Sequence, residues 1–329
     1  MICVILGHLI PHSSFGTIIY SFHMPLFFIV SGILYKGSGI KKQIVRYLKP
    51  YLFLLGAFII FDVFLNTFLH FYNNQPFDFA TILKNNVNLA IYASDVSNQQ
   101  LPFVNRGIIW FLPALFVANL LTGFVLKIKT NFIQFIVVIM VALIGFYSSH
   151  HIRLPLAIQP GCMALLFVYL GKKSKRYLLD EQSNSINLFT ILCLLIWLLA
   201  IVISLMTNTR IDFASCVFPH LITDIIGALG AGFFIIHTFR CLSQNRDVCS
   251  VNKFICNLLS FFGIYSLVVY CFHAIELRFP WFILDRMFPQ LMPVFITIIT
   301  FIIKMGWAYS CIWLSQRTKA LRTIFSIHP

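Results

Sequence analysis

Apolar residues in this chain come in long runs and not in the alternation of half-buried strands. The stretches 51–69, 132–147, 188–205 and 294–313 approach the roughly 20 residues a helix needs to cross a hydrocarbon core about 30 Å thick. Barrel strands alternate lipid-facing and inward-facing residues and would not give such runs. Read against their polar punctuation, the runs predict helical spans at 1–11, 17–35, 50–70, 107–126, 131–148, 154–171, 187–206, 213–239, 258–276 and 290–316. The expectation is an all-α, polytopic transmembrane bundle of about ten helices. The stretch 71–106 is rich in Asn and Gln and reads as an extramembrane loop holding an interfacial helix around 79–92.

Composition agrees, with 59% hydrophobic and only 10% charged residues, a balance that would leave a soluble domain with large exposed apolar patches. The net charge of +14 would suggest nucleic acid in a soluble protein, but its placement excludes that reading. The segments 36–49, 127–129, 172–176, 240–253 and 317–322 carry seventeen Lys and Arg between them. The alternate side holds six, namely Lys84, Arg106, Arg153, Arg210, Arg278 and Arg286. Basic loops stay cytoplasmic, so both termini are expected inside and the loop 71–106 outside. The nine cysteines show no metal-type spacing and read as small core residues, with no metal site. Met1 opens directly into Ile2-Cys3-Val4-Ile5-Leu6 without a basic leader. The first run is about half a crossing long, so its helix is expected to begin before Met1, a short first helix tolerated inside the bundle being the alternative. Residues 1–329 read as one membrane domain.

Ionisable groups inside hydrocarbon are costly and therefore candidates for function. They are His8, His23, Asp62, His220, Asp224, His237, His273 and Glu276, with His12 and His70 near span ends. His8 suits a general base, and His12 follows it at helical spacing; a histidine bonded to a neighbouring helix is the plainer alternative. His23 precedes Met24-Pro25, and Ser31-Gly32 on the same run permits close helix approach, which together suggest a shaped cavity or a capped, kinked helix. Lys41, Lys42, Arg46 and Lys49 anchor the third span and suit a polyanionic ligand such as a coenzyme A phosphate. Trp110 reads as an interfacial anchor, and His220 with Asp224 as an acid–imidazole pair on one helix face.

Taken in order, several of these blocks resemble the acyltransferase-3 family, and within it the fucose 4-O-acetylase-like branch. They are Val4-Ile5-Leu6-Gly7-His8, then Phe22-His23-Met24-Pro25-Leu26-Phe27-Phe28-Ile29-Val30-Ser31-Gly32, then Arg46 with Pro50-Tyr51, then Trp110-Phe111-Leu112. A segment from Gly263 to His273 is similar to the family's penultimate helix. The resemblance implies a ten-helix O-acyltransferase of a bacterial plasma membrane. It would move an acyl group, expected to be acetyl, from cytoplasmic acyl-CoA to a hydroxyl of a cell-surface or lipid-linked glycan, with no tightly bound cofactor. His8 would be catalytic, as general base or acyl relay. His23 would shape the same cavity, and Lys42 and Arg46 would bind the donor's phosphates; from the residues themselves, Ser31, Trp110, Asp62 and His273 are further candidates to line it. The family's first-helix arginine, about three turns before the histidine, would fall upstream of Met1. A transporter of a small solute or lipid-linked sugar is the rival reading, since a polar cavity among ten helices suits transport too. A noncatalytic partner in a glycan-assembly complex is the third.

Overall fold

The computed structural model describes residues 1–37, 39–73, 78–93, 108–179, 187–244, 250–279, 281 and 292–327. Part of the expected outer loop, at 74–77 and 94–106, lies outside the described residues. Among those described there are fourteen α-helices and no strand. They are α1 (Ile2–Leu9), α2 (Ser14–Tyr20), α3 (His23–Ile33), α4 (Ile40–Asn73), α5 (Phe79–Tyr92), α6 (Phe111–Val125), α7 (Asn131–Ser149), α8 (Ile158–Leu178), α9 (Leu188–Met206), α10 (Leu221–Gln244), α11 (Ser250–Ile264), α12 (Ser266–Glu276), α13 (Pro293–Arg317) and α14 (Lys319–Phe325). Seven segments are long and apolar enough to cross a bilayer, or eight if the bent pair α11 and α12 is one span. The broken pair α2 and α3 counts among the seven as Ser14–Ile33. Two of the ten expected spans fall on shorter helices, the eight-residue α1 and the fifteen-residue α6.

Several boundaries differ from the sequence reading, each for a local reason. The third span was expected from residue 50, but α4 starts at Ile40 and carries Pro50 inside it. Lys, Arg and Gln are good helix formers, so the basic lead-in continues the helix. The eighth span was expected from residue 213, but α10 starts at Leu221. Phe213 lies in a turn closed by the Asp212–Val217 bridge, where the Asp212 carboxylate accepts from Ala214 N at 3.1 Å and Ser215 Oγ at 2.9 Å. A helix does occupy Phe79–Tyr92, capped by Asp78, whose carboxyl the Thr81 hydroxyl and amide hold below its ordinary range.

The chain divides into two compact units. The first comprises 1–38, 117–152 and 159–264. Its helices meet through glycines, as small residues must provide close packing where lipid supplies no hydrophobic drive. Gly32 of α3 faces the backbone of α8, where an added Cβ would lie 2.0 Å from the Val168 carbonyl oxygen; Gly171 of α8 reciprocally faces the Ile29 carbonyl at 2.2 Å. Gly227 and Gly230 of α10 meet Ala200 and the Cys193 carbonyl of α9 in the same manner.

The second unit comprises 39–116, 153–158 and 265–329. Two buried ion networks hold it. Asp62 of α4 pairs with Arg278, just past α12, and accepts from Asn86 Nδ2 of α5 at 2.8 Å, while the guanidinium lies 3.7 Å from the centre of the Phe58 ring. Glu276 pairs with Lys304 of α13 and with His273 Nδ1, the latter at 2.7 Å. Lys304 also sits 4.4 Å from the centre of the Trp281 ring.

Two outcomes follow from this packing. Gly32→Val drives a side chain into backbone and should exceed the about 1–3 kcal/mol of ordinary overpacking, with loss of protein recovered monodisperse after heating in detergent. Gly56→Ala, where a Cβ meets nothing within 4 Å, should be tolerated, and equal loss in the two would contradict the close approach. Asp62→Leu strands a buried guanidinium at a cost of about 3–5 kcal/mol, whereas Asp62→Leu with Arg278→Met should recover most of the unfolding midpoint. Equal destabilisation in single and double variants would show that the charge pair is not the cause.

Candidate active site

Among the described residues of the first unit, polar side chains gather where α1, α2 and α3 turn on one another. α1 ends at Leu9, so His8 occupies its last turn, half-buried. The chain reverses through Ile10 to Ser13, where Ser13 Oγ donates to the Ile10 carbonyl at 2.8 Å and accepts from Gly16 N at 2.9 Å, capping α2. Gly16 is required there, because a Cβ would stand 2.2 Å from the Ile10 carbonyl oxygen. His12 is exposed in this turn, outside any helix, so it does not share a helix face with His8 as its spacing suggested.

α2 breaks at Ser21-Phe22, before Pro25 and not at it. Pro25 is the third residue of α3, where an N–H would lack an intrahelical acceptor anyway. Trp197 of α9 fixes the break, donating from Nε1 to Ser21 Oγ at 2.8 Å with its ring edge-on to Phe22. His23 therefore opens α3, buried, its Nδ1 2.9 Å from the Ile19 carbonyl. A carbonyl only accepts, so Nδ1 bears the proton.

Tyr20 joins these groups. Its ring is edge-on to His23 at 4.8 Å and to His8 at 6.3 Å between centroids, both within the range of favourable aromatic contact. From the segment between α9 and α10, Arg210 lays its guanidinium 4.2 Å from the centre of the same ring and donates to the Pro11 carbonyl. The site is thus two imidazoles and a guanidinium arranged around one phenol. In chemical terms it offers imidazole nitrogens that can give or take a proton beside a fixed positive charge. The sequence reading passed over Tyr20, whose signal was its spacing of three from His23, and counted Arg210 only as a loop charge.

Of the other expected site residues, Ser31 belongs to the same unit, two turns along α3 from His23, and exchanges hydrogen bonds with Asn119 of α6 at 3.0 and 3.3 Å. Trp110, Asp62, His273, Lys42 and Arg46 belong to the second unit. Trp110 is 5% exposed in the turn before α6, its ring edge-on to Phe111, and so is not a surface anchor. Asp62 and His273 are held in the ion networks above. Lys42 and Arg46 are exposed one helical turn apart near the start of α4, with Arg46 5.8 Å from the centre of the Tyr47 ring.

The expected His220–Asp224 pair takes another form. His220 precedes α10 and its backbone N–H donates to the Asp224 carboxylate at 2.9 Å, which caps the helix, while the imidazole Nε2 lies 3.0 Å from Thr207 Oγ1. In the same segment, burial, the Asp212 carboxylate and Cys162 push the Cys216 thiol up to about 12, so it stays protonated.

Comparison of the chain with curated proteins and with solved structures finds no match. A family model does match, the acyltransferase domain of the acyltransferase-3 family, over residues 1–314. The matched stretch includes His8, His23 and the helices that place them, and with its apolar spans the chain is an integral membrane protein that belongs to the acyltransferase-3 family.

Proposed function

We propose that the protein is a membrane O-acyltransferase that moves an acyl group, acetyl in the simplest case, from cytoplasmic acyl-CoA to a hydroxyl of a cell-surface or lipid-linked glycan. The observation that carries the reading is the convergence of His8, His23 and Arg210 on Tyr20, inside a chain of acyltransferase family. His8 is assigned the general base. The acceptor oxygen attacks the thioester carbonyl as its proton passes to the imidazole, and the tetrahedral intermediate then collapses. The C–S bond breaks, and the imidazolium returns the proton to the departing thiolate. His23, its Nδ1 proton held by Ile19, and Ser31, held by Asn119, are assigned to shaping the cavity. Lys42 and Arg46 on the exposed start of α4 are assigned to the phosphates of coenzyme A, for which a bidentate guanidinium and an ammonium are suited. We assign Asp62 and His273 to structure, on the support of their buried partners.

The proposal includes ten crossings with both termini in the cytoplasm, supported by the excess of basic residues in alternate segments. It places the protein in a bacterial plasma membrane. A transporter remains the competing class, and the two are separated by chemistry at His8.

His8→Ala should reduce O-acetylation of the surface glycan by about 10²-fold or more, with unchanged abundance in the membrane. Acetyl content is read by NMR of the purified glycan, and a wild-type content would end the catalytic assignment. For orientation, a cysteine placed at the exposed Lys84 should react with an impermeant maleimide in intact cells, and one at the exposed Lys175 only after lysis. The reverse pattern would invert the topology.

A further inference from the structure

Arg210 stands where an ordinary outer-loop arginine would extend into solvent, yet it is half-buried and held at both ends. On its own side, Thr209 N donates to the Ser204 carbonyl at 2.9 Å and Thr207 Oγ1 lies 2.8 Å from Thr209 Oγ1, which fixes the short segment presenting it. At its far end it reaches the carbonyl of Pro11, a residue 199 positions away in the chain. Pro11 lies in the reversal between α1 and α2, three residues after His8. A planar guanidinium serves this double duty well, since it stacks on a ring by its face and donates from its edge.

We infer that Arg210 is a positioning residue for His8. Its bond to Pro11 and its stack on Tyr20 clamp the α1–α2 corner, and so set where the imidazole of His8 stands relative to the acceptor hydroxyl. The clamp acts from both sides of the histidine. Pro11 fixes the backbone that follows it, and the Tyr20 ring, covered on one face by the guanidinium, presents its neighbourhood to His8 and His23. Because Arg210 acts through Pro11 and Tyr20, its removal disturbs alignment in the reacting complex, and misplacement of about 1 Å is worth up to about 100-fold in rate. The inference rests on the acyltransferase reading and adds to it the residue that orients the base.

The test uses membranes carrying the full chain, with radiolabelled acetyl-CoA as donor and the resident glycan as acceptor. Arg210→Met should lower kcat by about 10- to 100-fold while KM for acetyl-CoA stays within about twofold and membrane abundance is unchanged. Arg210→Lys keeps a donor and a cation over the ring, and should recover part of the loss. Tyr20→Leu should resemble Arg210→Met, with Tyr20→Phe losing less, and the double variant Arg210→Met with Tyr20→Leu should be little worse than either alone, since both break one clamp.

Wild-type kcat in Arg210→Met, a change confined to KM, or additive losses in the double variant would each overturn the inference. If Arg210→Met does not accumulate, Arg210→Lys and Tyr20→Leu make the same comparison, with additivity again counting against the clamp. His8→Ala measured alongside separates the two levels. Full transfer in His8→Ala defeats the acyltransferase assignment itself, whereas loss in His8→Ala with normal Arg210 and Tyr20 variants defeats only the clamp.

Discussion

A charge placed in hydrocarbon without a partner is expensive, and the described polar interior of this protein is organised around that fact. Asp62 meets Arg278 and Asn86; Glu276 meets Lys304 and His273. The first ties α4 and α5 to the residue after α12, 216 positions from Asp62, and the second ties α12 to α13, so the requirement for partners also acts as an instruction for assembly. A buried pair adds little net stability compared with apolar residues of the same shape, but losing one member leaves an uncompensated charge. The pairs therefore select one arrangement of α4, α5, α12 and α13 within their unit more than they strengthen it.

The site in the first unit obeys the same constraint differently. His23 is buried and satisfied by a carbonyl of its own chain segment, and Arg210 by the carbonyl of Pro11 and an aromatic face. None of these described contacts consumes a carboxylate. Neutral acceptors hold both groups in place and keep a guanidinium charge beside the imidazoles, which would suit the negatively charged tetrahedral intermediate of the proposed acyl transfer. The broken segment α1–α2–α3 makes this feasible. A continuous helix would distribute residues 8, 20 and 23 along some 22 Å of axis, at 1.5 Å per residue, whereas the reversal at Ile10–Ser13 and the break at Ser21-Phe22 fold them onto one ring.

Much of the helical layout was legible in the sequence, because hydrocarbon demands apolar runs of set length. α7, α9 and α13 fall where those runs fall, and α5 where the loop pattern suggested it. The errors occurred where side chains make the backbone's decisions. Phe213 to Phe218 reads as the start of a span, yet Asp212 closes a turn there and Cys216 takes a positive φ of 54°. Asp224 looked like half of a relay, and its acceptor role at the helix start is visible only once the cap is seen.

The candidate site was half legible for a related reason. His8 and His23 stand out because imidazoles are rare within apolar runs, and rarity is a property of one position. Arg210 and Tyr20 do not stand out, because a lone loop arginine and a tyrosine at a helix end are what any membrane protein carries. Their significance lies in a contact between residues of widely separated segments, and no window along the chain contains it. The same holds for Arg278, counted by sequence among the outer charges and found as the partner of Asp62 across 216 positions. Charge counting treats every arginine as a topological marker, whereas the packed structure divides them into those that address the aqueous phase and those that organise the interior. Arg210 and Arg278 belong to the second kind, and that division, more than the number of spans, is what the fold adds to the sequence.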